Sequence, residues 1–187
     1  MGFNSAKRGT GYAARTKNGI LREYDHWQSM LRRSYDPKWK SIHQTYEECE
    51  VDPDWLDYQN FARDYHNCKY KPANSDLDKD LLVLGNKTYS NELCVYLPED
   101  INKSIVIRGT VSKWHARDEI FEYSCNGIYL GRSQSPTDLG EVWVSSKIER
   151  IRFLAEVYKD VISPLAYKSL LEIKIDFDED GVVSRVK

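Results

Sequence analysis

Residues 77–94 read LDKDLLVLGNKTYSNELC, and the order of charge, apolar run and turn in this stretch decides the fold. Residues 78–84 form a short apolar run behind the trio Asp78, Lys79 and Asp80, which predicts a strand. Gly85-Asn86-Lys87 predicts a tight turn, because Gly and Asn accept positive φ at low cost. Residues 91–98 begin as a turn, and Leu93, Val95 and Leu97 then alternate as a second strand does. Strand faces alternate, so Asp78 and Asp80 would share one face. The simplest structure is a hairpin with a charged outer side.

Helical spacing flanks this hairpin upstream. Tyr24, Trp27, Leu31 and Tyr35 fall on one helix face, ended by Asp36-Pro37. Asp52-Pro53 opens a second helix through Trp55, Tyr58, Phe61, Ala62 and Tyr65. After Asn102 the pattern turns to strands at 104–110, 120–124 and 128–130, the last two joined at Asn126-Gly127. Thr137 and Asp138 cap a long helix to about residue 158. Its expected buried set is Val142, Ile148, Ile151, Leu154, Ala155 and Tyr158. Ser163-Pro164 starts a short helix, and the acidic DFDEDG of 176–181 is the turn of a terminal hairpin. The fold class is α+β. A basic flexible arm at 1–22 precedes one domain at 23–102 and a second at 103–187.

The 187 residues are 41% hydrophobic and 30% charged, a globular balance. Net charge is −2, yet residues 1–42 hold nine Lys or Arg against Glu23, Asp25 and Asp36, which is +6 locally. Such an excess is an electrostatic footprint for phosphate contact. Arg32 and Arg33 lie beside the first helix face, and Trp114 stands between Lys113 and His115 with Arg108 nearby. The four cysteines form no CxxC pair, which argues against a zinc knuckle. No signal peptide or apolar span is visible, so a cytoplasmic protein away from the membrane is expected.

Three segments resemble one family. YDHWQSMLRRSYD (24–36), CEVDPDWLDYQNFARDY (49–65) and LDKDLLVLGNKTYSNELCVYLPEDIN (77–102) are similar to phage HNH homing-endonuclease-like proteins. The third is the most specific. NGIYLGRSQSPTDLGEVW (126–143) with its long helix resembles the AP2-type DNA-binding module appended in that family, in which a small sheet reads the groove.

The resemblance implies a ββα finger around a divalent metal, Mg2+ or Mn2+, that hydrolyses phosphodiester bonds of double-stranded DNA. Asp78 takes the metal-binding position, with Asn91 as the ligand from the following element. Asn86 falls in the orienting turn. Lys79 stands where the family has its general-base His. Asp76 or Asp80, or an approaching His43 or His66, would then serve as base; otherwise Lys79 stabilises phosphate charge, or the finger only holds DNA. The expected catalytic group is Asp78, Lys79, Asp80 and Asn86. The expected DNA contacts are Arg32, Arg33, Lys79, Lys87, Arg108 and Trp114. An alternative is a catalytically inactive scaffold that binds DNA, or a host protein through its acidic C-terminal surface.

Overall fold

The computed structural model describes residues 2–7 and 10–186; Met1, Arg8, Gly9 and Lys187 lie outside them, and with them Arg8 of the basic arm. The chain is α+β, as its pattern predicts, and divides into two compact units, Met1–Leu97 and Pro98–Lys187. The division falls five residues before the expected boundary at 102/103, and the stretch 1–22 belongs to the first unit.

The first unit opens with a short antiparallel hairpin, β1 (Arg15–Thr16) and β2 (Gly19–Ile20). Helix α1 (Arg22–Tyr35) ends where Asp36 turns extended, and the Asp36 carboxylate then caps α2 (Pro37–Ile42) by accepting from the Lys38 and Trp39 amides. Strand β3 (Glu50–Val51) follows. Asp52 caps a single 3-10 turn, and Asp57 caps the continuous helix α3 (Tyr58–Asn67), so the expected single helix is two pieces. Next come β4 (Ser75–Asp78), β5 (Thr88–Tyr89) and β6 (Val95–Pro98). β4 pairs with β6, and β5 pairs in parallel with β3.

The core here is aromatic. The Tyr24 and Tyr58 rings meet edge to face at 5.0 Å, Trp55 and Phe61 likewise at 5.0 Å, and Tyr65 and Tyr96 at 5.4 Å. Edge-to-face pairs add to area burial. The polar atoms of these rings find backbone partners: Trp27 Nε1 donates to the Trp55 carbonyl at 2.8 Å, and Tyr58 Oη donates to the Ala13 carbonyl at 2.7 Å. The second of these bonds ties the expected flexible arm down. Further along it, the Phe3 amide donates to the Leu56 carbonyl and the Ser5 amide to Asp57 Oδ1. Hydrogen bonds that a composition-based reading could not see therefore hold this segment.

The expected strand at 78–84 ends at Asp78. Its carboxylate accepts from the Asp80 and Leu81 amides, which bends the chain out of extension. The apolar run is met by a loop that buries Leu81 and leaves Val83 exposed.

The second unit holds α4 (Glu99–Ser104), then the antiparallel sheet β7 (Ser112–His115), β8 (Ile120–Cys125) and β9 (Ile128–Ser133) in the order β7-β8-β9. The expected strand at 104–110 is not formed. Ser104 ends α4, and the rest is a connector whose Gly109, with the following Val111, bonds the terminal hairpin, Thr110 bridging to Val182. The Asn126-Gly127 turn forms as predicted, both residues at positive φ. Helix α5 (Gly140–Tyr158) covers β8, α6 (Pro164–Leu171) packs on α5, and β10 (Lys174–Phe177) with β11 (Val183–Val186) closes the unit. Trp143 Nε1 donates to the Ser124 carbonyl at 3.0 Å, which sets the rotation of α5. Trp143 and Val144 are therefore inside, and Val142, expected inside, is exposed. A Cβ on Gly140 would come within 2.4 Å of the Phe177 ring, so glycine lets the helix start lie against β10. Of the acidic run 176–181, Asp176 and Phe177 end β10 and the turn begins at Asp178, which accepts from the Asp180 and Val182 amides.

Phe61 is fully buried, so Phe61→Ala should lose about 3–5 kcal/mol in urea unfolding. Phe153 is exposed on α5, so Phe153→Ala should stay within about 0.5 kcal/mol of the parent. Equal losses in the two variants would contradict this packing.

Candidate functional site

The loop between β4 and β5 is built by its own polar side chains. Asn86 Nδ2 donates to the carbonyls of Lys79 at 2.9 Å and Thr88 at 2.8 Å, and Asn86 Oδ1 accepts from the Thr88 amide at 3.0 Å. Lys79 is buried, and its Nζ donates to Asp80 Oδ1 at 2.7 Å and to the Asn86 carbonyl at 2.6 Å. Asp78 Oδ1 accepts from the amides of Asp80 at 3.0 Å and Leu81 at 2.7 Å. The four residues expected to be catalytic thus come together, but their polar atoms face one another and the loop backbone.

Burial raises the pKa of Asp78 above its ordinary value, against the lowering effect of the Leu81 amide. Cys94 lies within electrostatic reach of Asp78, and burial pushes its thiol up to about 12, so it is uncharged at neutral pH. Asn91 opens onto a different groove, lined by Asp52, Asp54, Arg63, Asp64 and Glu92. Asp78 does not line that groove, and its Oδ1 is spent on the loop amides. Among the described residues, no group of three or more His, Cys, Asp or Glu is disposed to hold a metal ion.

The histidines do not supply the absent base to Asp78. His66 Nε2 is 3.2 Å from Glu23 Oε1, with its ring stacked on Tyr12 at 4.9 Å. The His43 ring lies tilted against Trp39 at 4.3 Å, and His115 lies 3.6 Å from Glu122. His26 lines a polar cavity of about 150 Å³ between α1 and β4 with Arg22, Asp25, Arg33 and Asp76. Burial, and then Arg22, hold the His26 pKa below its ordinary value. This cavity was missed in the sequence because its residues are spread over 22–76, and only the i, i+4 spacing of Arg22 and His26 hinted at it.

Of the expected DNA contacts, Arg32, Arg33, Lys79 and Lys87 border the segment 37–50. The Arg32 guanidinium lies over the Trp39 ring at 4.5 Å. Arg33 and Lys79 each stand 6.0 Å from the Tyr46 ring centre, and Arg33 is hydrogen-bonded to Tyr89. Lys87 Nζ donates to the Thr45 carbonyl at 3.2 Å. Arg32 is exposed, whereas Lys79 is enclosed and works as a brace. Arg108 and Trp114 belong to the second unit. Arg108 is exposed in the connector before β7, and Trp114 packs on Phe121 at 4.8 Å. On that sheet, Arg132 is held by Glu122 at 3.0 Å and by Asp118 at 3.3 Å. Among the described residues, no helix is long and apolar enough to cross a membrane.

Because the folded Asp78 pKa lies above its unfolded value of 3.8, the folded chain binds the proton more tightly. The stability this contributes is present below the unfolded pKa and is lost as pH rises through the folded one. Asp78→Asn keeps an oxygen for the two amides and removes the titration. Urea unfolding of this variant should therefore lose the falling limb that the parent shows in that acid window. Parallel profiles for the two would contradict a buried, loop-capping carboxyl.

Set against protein-family models, curated proteins and solved structures, the chain matches none.

Proposed function

We propose that the protein binds double-stranded DNA through its phosphate backbone, using the exposed cations of its first 42 residues, without cleaving it. The observation that carries this reading is the fate of the acids in that stretch. Glu23 is buried beside His66 and Asp36 is spent on the cap of α2, which leaves Asp25 as the one exposed acid of the three. Lys7, Arg15, Lys17, Arg32 and Lys38 remain on the outside. A surface with this imbalance attracts a polyanion at long range. The resemblance to HNH homing-endonuclease relatives points to the same partner.

Hydrolysis draws no support from the loop. Asp78 is capping, Asn86 is saturated by backbone partners, and Lys79 donates to Asp80 and to the Asn86 carbonyl. The AP2-type resemblance is supported in outline by the three-stranded sheet and α5. Its outer row Lys113, Glu122 and Arg132 is close to neutral, however, because Glu122 pairs with Arg132 and His115. The first unit is therefore given the main electrostatic role.

Anisotropy of a labelled duplex across a salt series tests the reading. Log affinity should fall linearly with log salt, at about 0.9 per phosphate contacted. Arg32→Ala and Lys38→Ala should each weaken binding to any sequence and reduce the slope by about 1. Arg132→Ala should change neither. No binding at low salt, or a slope indifferent to Arg32 and Lys38, would sink the proposal.

A further inference from the structure

We infer that the groove between the N-terminal segment and α1 receives an unstacked nucleobase of the bound DNA. This inference rests on the DNA-binding reading above and gives that surface a base contact beside its phosphate contacts.

The groove has a volume of about 480 Å³, well within the range of small-ligand sites. Two aromatic walls frame it. Phe3 is bridged to Asp57, its amide donating to the Leu56 carbonyl and its carbonyl accepting from the Tyr58 amide, both at 2.9 Å. The backbone is fixed and the ring stands 56% exposed. Gly2 makes this placement feasible: a Cβ there would come within 2.4 Å of Leu31 Cδ1 and 2.7 Å of Trp27 Cζ2. Tyr35 forms the other wall, 40% exposed, its hydroxyl held by accepting from the Val51 amide at 3.0 Å. Tyr24, Trp27 and Leu31 also line the groove.

The rim is polar. Gln28 places its amide there, able to meet the donor and acceptor edge of a base, and Asn4 adds its Nδ2 as a donor, its Oδ1 already accepting from Gln59 Nε2 and the Ala6 amide. Arg32, stacked on Trp39, stands at the same rim, where a phosphate next to the inserted base would lie. Asp36 also lines the groove, but its Oδ1 is committed to the Lys38 and Trp39 amides. An apolar peptide would suit the aromatic walls, but the surplus of cations over residues 1–42 favours an anionic chain that carries flat rings.

The test uses two duplexes of equal length and charge, one with a single bulged thymidine and one with an abasic bulge. The full-length parent should bind the thymidine bulge more tightly, by about 5- to 150-fold, the range that stacking of one base on an aromatic ring converts to. Phe3→Ala should bring the thymidine bulge down to the affinity of the abasic one, and Phe3→Tyr should restore the difference. Urea unfolding of Phe3→Ala should match the parent, since the ring is more than half exposed. Equal affinities of the parent for the two bulges, or discrimination that survives Phe3→Ala, would overturn the groove as a base site. Salt-dependent duplex binding would still stand in that case. Binding of neither duplex would overturn the DNA reading and this inference together.

Discussion

Asn86 ties the chain to itself at three points, and the rest of the first unit's loop architecture follows from that closure. By bonding the Lys79 carbonyl and both backbone groups of Thr88, it brings the two ends of the loop together across six intervening residues. Thr88 and Tyr89 are then positioned to pair with Glu50 and Val51. Buried Lys79 fills the inside of the ring, its charge met by Asp80 and by a carbonyl. An enclosed ammonium without such partners would be strongly destabilising. The side chains that make the stretch look like a nuclease finger are thus the ones that hold it in shape.

That closure bears on the outer surface. Arg33 hydrogen-bonds Tyr89, and the Tyr46 ring centre is 6.0 Å from Arg33 and from Lys79, so the loop is coupled to the end of α1 where Arg32 is presented. The aromatic lattice beneath gives α1 a rigid base, and Trp27 and Tyr58 spend their polar atoms on backbone carbonyls of other segments. A cation presented from such a base loses less freedom on meeting a phosphate than one on a loose arm.

Much of this was legible in the sequence where local signals and packing agree. The face of α3, the Asn126-Gly127 hairpin, α6 and the terminal hairpin carry caps, turns or periodicity of their own. The expected α1 face, by contrast, keeps only Trp27 buried, beside Glu23, Met30 and Ser34, and α5 starts after Leu139 without the expected cap from Thr137 or Asp138. The failures share a cause. Residues 78–84 and 104–110 have strand composition, but a side-chain turn at Asp78 and the end of α4 take them first. The N-terminal segment looks loose because its anchors are backbone bonds to Leu56 and Tyr58, more than fifty residues away. At the site, residue types were visible but their hydrogen-bond partners were not. Asp78, Lys79 and Asn86 read equally well as catalytic or as bracing until each donor and acceptor is traced.

Incubation of supercoiled plasmid with the full-length protein, in Mg2+, in Mn2+ and in chelator, tests this account most directly. Retarded but intact plasmid is expected in all three, with Asp78→Asn behaving as the parent does. Nicking that requires metal and disappears in Asp78→Asn would contradict the account, because Asp78 would then serve the reaction rather than the loop.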